Sequence, residues 1–145
     1  MKYSRKLSDT IHILIFIALE NDEQLSSAKI AQSIKTNPAY VRQLMATLKK
    51  AGIVINTQGH ANAALAKTTD EISMYDVYRA IEGDKPLLHL DTDTNPECGI
   101  GINIQFAIGD FYHEIQDMVN EKMKSITLQD IIEGYYLRTA EMGKP

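Results

Sequence analysis

The sequence predicts a mainly α fold with one small β-hairpin wing: a winged helix-turn-helix followed by a long dimerisation helix. Three observations lead there. The stretch "KTNPAYVRQLMATLKKAGIV" (35–54) is basic, strongly amphipathic and bounded by a helix cap and a glycine. A shorter amphipathic stretch precedes it and a β-branched one follows. From residue 98 to about 126, apolar side chains recur at spacings of three and four.

Taken in order, Leu7, Ile11, Leu14, Ile15 and Ala18 fall at helical spacing and predict a buried first helix over 7–19, with His12 packed in it. "NDEQ" (21–24) is a polar break. Ser26 and Ser27 offer N-caps for a short helix carrying Ala28, Ile30, Ala31 and Ile34, which "KTN" ends. Asn37 then caps the next helix. Pro38 suits the first helical position, where a missing N–H costs nothing. Val41, Leu44, Met45 and Leu48 form one apolar face; Tyr40, Arg42, Gln43, Thr47, Lys49 and Lys50 lie opposite, and Gly52 is the stop. Two helices of about ten and fourteen residues joined by a short turn make a helix-turn-helix.

Ile53–Thr57 reads as a short strand, "QGHAN" (58–62) as a turn and "AALAK" (63–67) as the returning strand, which together would be a wing. Alanine is a poor strand former, so this is the weakest-patterned element. Ser73 with Asp76 resembles a capping box opening a helix through Tyr75, Val77, Tyr78 and Ile81, ended by Gly83. Residues 84–97 are a loop. In the long helix, Ile108, Phe111, Ile115, Met118 and Lys122 form the stripe, widened by Tyr112 and Val119. A small winged region cannot cover so long a stripe, so Ile108, Phe111, Tyr112, Ile115, Met118 and Val119 are expected at a homodimer interface. Thr127 with Asp130 caps a last helix through Ile131, Tyr135 and Leu137. The expected organisation is a DNA-binding winged region over 1–83. A linker, dimerisation helix and C-terminal helix follow over 84–145, forming one compact paired or exchanged unit in the dimer.

Composition narrows the class. The chain has 145 residues, 44% apolar and 23% charged, ordinary for one globular domain. "IHILIFIAL" (11–19) is too short to span a bilayer, and no small-residue cleavage site follows it. One cysteine excludes an intrachain disulfide framework, so a reducing cytoplasm is expected. The net charge of −4 hides a division. Residues 1–70 hold nine Lys/Arg against five Asp/Glu, a balance of +4; residues 71–145 hold six against fourteen, a balance of −8. A basic half joined to an acidic half suggests that only the first meets a polyanion.

Three blocks in order, "MKYSRKLSDTIHILIFIAL", "LSSAKIAQSIKTNPAYVRQLMATLKKAGIV" and "ISMYDVYRAIEG", resemble the Rrf-two family of bacterial winged-helix regulators. "NPECGIGINIQFAIGDF" is most similar to its YwnA-like branch. The resemblance implies a homodimeric, sequence-specific DNA-binding transcriptional regulator, a repressor answering a redox, electrophile or small-molecule signal. Its partner would be double-stranded DNA carrying a near-palindromic operator. Two departures stand out. The wing "GHANAALAK" has one glycine where the family often has a Gly-rich tip followed by an aromatic residue. Cluster-binding members use three cysteines in the loop and at the start of the long helix; this sequence has only Cys98, so no iron–sulfur cluster and no other cofactor is expected.

A recognition helix reads bases from its N-terminal turns while flanking groups hold phosphates. Ala39, Tyr40, Arg42 and Gln43 would face the groove, Arg42 suited to guanine O6/N7 and Gln43 to adenine N6/N7. Ser26, Ser27, Lys50, Lys2 and Arg5 would meet phosphates, and His60 is the wing candidate. Tyr40 could equally cap the core edge. Cys98 follows Pro96 at a helix N-terminus, a setting that favours a reactive thiol; it is the sensor candidate, with simple packing the alternative. His12, His60, His89 and His113 lack the mutual spacing of a metal site. Gly99 and Gly101 form no phosphate loop, and no nucleophile–base pair points to an enzyme. The alternative function is a winged-helix protein-interaction module without operator binding. A ligand-binding or catalytic role in a pocket at the dimer interface is the third option.

Overall fold

The computed structural model describes residues 4–20, 26–56, 63–91 and 93–143. Its elements are α1 (Lys6–Leu19), α2 (Ser27–Ile34), α3 (Pro38–Lys50), β1 (Val54–Asn56), β2 (Ala63–Leu65), α4 (Met74–Glu82), α5 (Gly99–Lys124) and α6 (Leu128–Met142). The fold is a winged helix-turn-helix, mostly helical with one antiparallel hairpin, in the register Val54↔Leu65, Ile55↔Ala64 and Asn56↔Ala63.

Local chemistry sets the helix ends. Ser26 Oγ accepts the Lys29 N–H at 3.2 Å and opens α2. Lys35 closes it in the left-handed region at φ 53°, and the Lys35 and Thr36 N–H groups both return to α2 carbonyls. That turn aims the chain at α3, where Asn37 Oδ1 accepts the Tyr40 N–H at 2.8 Å and Pro38 occupies the first turn. Gly52, at φ 76°, then lets the chain leave α3 for β1. Reciprocal capping boxes open α4 (Ser73 with Asp76) and α6 (Thr127 with Asp130).

The core gathers one face of each of the first four helices: Ile13 and Leu14 from α1, Ile30 from α2, Val41, Leu44 and Leu48 from α3, and Val77 from α4, with Val54 and Ile72. The C-terminal helix returns to this core. Leu128 and Ile132 are buried, and the Leu128 and Gln129 N–H groups donate to Ile72 and Thr69 carbonyls at 2.9 and 3.1 Å. The winged region and α6 thus share one apolar interior.

Several expectations are corrected. The buried face of α1 is Thr10, Ile13, Leu14 and Ile17; Leu7, Ile11 and Ile15 are half-buried and Ala18 is exposed. The helix is apolar nearly all round, so periodicity alone leaves its phase ambiguous. His12 is not packed in its helix. It is exposed, with Nε2 2.8 Å from Ser33 Oγ on α2. Of the wing, the strands shorten to 54–56 and 63–65, while Thr57 and the turn 58–62 lie outside the described residues, as does the break at 21–24.

Thr10 is fully buried, and its Oγ1 has no hydrogen-bond partner among the described residues. A buried hydroxyl without a partner carries its full desolvation cost. Thr10→Val keeps the shape and removes that group, so it should raise unfolding stability by about 1 kcal/mol. Urea denaturation of the two proteins measures this; a loss of stability would mean that the hydroxyl is satisfied in solution.

Candidate nucleic-acid interface

Helix α3 is the surface candidate. Burial of Val41, Leu44 and Leu48 fixes its rotation, and Ala39, Arg42, Gln43, Lys49 and Lys50 are exposed on the other side. Arg42 and Gln43 stand in the second turn, and Lys50 is the last residue of the helix. Ser26 and Arg5 are exposed and Ser27 is half-buried. Ser26 Oγ already serves as the α2 cap, which leaves its proton to donate to a phosphate. Arg5 precedes α1 close enough to α3 for its charge to be felt at the Tyr40 phenol. Lys2 and His60 lie outside the described residues.

Tyr40 is set apart from its neighbours. Its hydroxyl donates to Asp9 Oδ2 at 3.0 Å, bracing the start of α3 against α1. Burial, and then the Asp9 carboxylate that accepts its proton, hold the phenol above its ordinary value of 10.0. With the folded-state value raised, this contribution is complete below pH 10.0 and fades as pH rises through the shifted value. Tyr40→Phe should cost about 0.5–1.5 kcal/mol of stability at neutral pH. Thermal melts of both proteins test the brace; equal stability would remove it.

The long helix α5 has three faces. Gln105, Gly109, Tyr112, Gln116, Asn120 and Met123 turn toward the rest of the chain and are at least half-buried. Asp110, Glu114, Asp117 and Glu121 make an exposed acidic ridge. Between them runs an apolar stripe whose members are open: Ile100 76%, Ile104 53%, Phe111 65%, Ile115 44% and Met118 73% exposed. No residue of this 26-residue helix is buried. Of the expected interface set, Phe111, Ile115 and Met118 sit on the open stripe, while Ile108, Tyr112 and Val119 flank it half-buried. Sequence reasoning missed Ile100 and Ile104, although their spacing from Phe111 continues the same stripe backward. Cys98 is exposed at the N-cap, and its Sγ accepts the Gly101 N–H at 3.4 Å.

A basic exposed helix, a hairpin after it and a long helix with one open apolar stripe beyond it are the parts expected of a winged DNA-binding regulator. The description of the Rrf2 family, iron-dependent transcriptional regulators, matches residues 3–134. The chain belongs to the Rrf2 family. It is 35% identical over 131 residues to Bacillus subtilis YwnA, which carries the name of an HTH-type transcriptional regulator; 90% of this chain and 97% of that protein are covered. The structure of CymR, named the global cysteine regulator of B. subtilis, superposes with a TM-score of 0.66 at 27% identity, covering 90% of this chain and 95% of that one. A solved structure titled as a DNA-binding protein gives 0.72 at 35% identity, covering 88% and 98%. This Rrf2 member is accordingly a DNA-binding transcriptional regulator, and its relatives are regulators rather than enzymes.

The family's iron can be tested against the donor set. A cluster needs about four thiolate-type ligands. The chain has one cysteine, and no group of three His, Cys, Asp or Glu side chains among the described residues is placed to hold a metal. The residues present do not fit an iron–sulfur cluster. Among the described residues no helix is long and apolar enough to cross a membrane.

Proposed function

We propose that this Rrf2 protein is a cytoplasmic homodimeric repressor that reads a near-palindromic operator through α3. The observation that carries it is the pairing of two open surfaces on one chain: the basic face of α3 and the apolar stripe of α5. Two copies joined along α5 would present two recognition helices, so half-sites would lie about one helical turn, or a multiple, apart. Ala39, Arg42 and Gln43 take the bases, Lys50, Arg5, Lys2, Ser26 and Ser27 the phosphates, and His60 the wing contact. Tyr40 acts by positioning α3. The acidic ridge of α5 keeps DNA away from the dimerisation side. Selection of bound sequences from a random duplex pool tests this: an inverted repeat is expected, and a pool that stays random would refute it.

The signal is read as a thiol event at Cys98 or as a small molecule between the winged region and α5. Exposure of the thiol supports the first, and a relative named for cysteine regulation is consistent with it. Cys98→Ser should retain operator affinity and lose any response to oxidants or electrophiles, while the wild-type protein, purified without oxygen, should be colourless. Stoichiometric iron and sulfide in that preparation would overturn the thiol reading, and an unaltered response in Cys98→Ser would make the cysteine ordinary packing.

A further inference from the structure

A cleft of about 320 Å³ opens where α4, the loop 84–91 and the inner face of α5 meet. Its volume is at the lower end of ligand pockets, which suits a metabolite-sized molecule. The loop forms its rim with two anchors: the Leu87 N–H donates to Gln116 Oε1 at 2.8 Å, and the Tyr78 hydroxyl donates to the Lys85 carbonyl at 2.8 Å. Gly109 lets the rim come close, since a Cβ there would stand 3.1 Å from Leu90 Cδ1.

The lining is aromatic and cationic. Tyr75, Tyr78 and Tyr112 contribute rings. Arg79 and Lys85 supply two fixed positive charges, His113 an imidazole, and Asp84 the one carboxylate of the lining. That carboxylate is already bound to Arg79. Lys85 lines the cleft, and its ammonium makes no ion pair among the described residues. This sign is opposite to that of residues 71–145 as a whole, whose balance is −8. Aromatic walls beside one unneutralised cation favour a flat or branched apolar body bearing a carboxylate.

We propose that this cleft binds a small aromatic carboxylate whose anion pairs with Lys85 and whose ring lies among the tyrosines. Such a ligand touches α4, the last helix of the winged region, and α5, the helix read as the dimer seam, and so can bias the angle between them. Its regulatory role rests on the DNA-binding dimer reading; its occupancy does not.

The experiment adds phenylacetate to the full chain, with phenethylamine and 2-phenylethanol as charge controls. Binding is followed by amide chemical shifts and tyrosine emission; the chain has no tryptophan, and three of its seven tyrosines line the cleft. Phenylacetate should saturate, with shifts centred on Gly109, Tyr112 and Tyr75, and phenethylamine should bind at least about tenfold more weakly. Lys85→Gln should weaken phenylacetate about tenfold and leave 2-phenylethanol unchanged. Gly109→Val, which pushes a side chain against Leu90, should abolish both; should it not fold, Lys85→Gln carries the test. No saturation, shifts centred on α1 and α6, or indifference to Lys85→Gln would overturn the site. Saturating phenylacetate that leaves the affinity for a bound duplex unchanged would overturn the effector role. Failure of the unliganded protein to bind any duplex would instead refute the DNA-binding reading.

Discussion

Ile115→Asp should convert the protein from a dimer to a monomer, or leave it insoluble. Ile115 lies mid-stripe on α5 between Phe111 and Met118, and all three are open to solvent in the isolated chain. A stripe of this length is the mark of an interface. In a two-fold dimer every substitution enters twice, so two carboxylates would meet an apolar seam, at a cost of several kcal/mol each if left unpaired. Light scattering reads the mass directly. A variant that remains a dimer would place the interface elsewhere, and the α1–α6 groove lined by Ile15, Phe16 and Tyr135 would be the next surface to test.

Arg42→Ala and Lys50→Ala should fail in different ways. Arg42 stands in the second turn of α3, where a guanidinium can meet guanine O6 and N7 together; its removal should cost roughly 1–3 kcal/mol on the cognate site and little on other duplexes. Lys50 ends the helix, where an ammonium would meet backbone phosphate as a point charge. Its removal should weaken all duplexes alike and lower the slope of log affinity against log salt by about 1. Titrations of both variants on cognate and scrambled DNA at three salt concentrations separate the two patterns. Identical behaviour would mean that the division into base and phosphate contacts is wrong.

What could be read from the sequence follows from range. Asn37 with the Tyr40 N–H, Ser73 with Asp76, and Thr127 with Asp130 are contacts across three residues, so their caps were legible and sit where expected. The α3 face was legible because its apolar and polar sides differ sharply. In α1 they do not, and the phase was settled by α4 and α6 packing against it, a distant event. The split of α5 into an inner and an open face likewise depends on where α4 and the loop lie, so Tyr112 and Val119 could not be told from Phe111 and Met118 by spacing. The Tyr40–Asp9 bond spans 31 positions and the Leu87–Gln116 bond 29; neither leaves a local signal. The Rrf2 resemblance reached the family directly, but the proposed residue roles rest on the exposed face of α3.

The central claim, that a dimer reads sequence through α3, meets its most direct test in fluorescence anisotropy with a duplex recovered by selection and a scrambled duplex of equal length. At physiological salt the selected duplex should bind on the order of 10³-fold or more tightly, with the affinity for both falling as salt rises. Equal affinity for the two duplexes, or no binding to either, would contradict it.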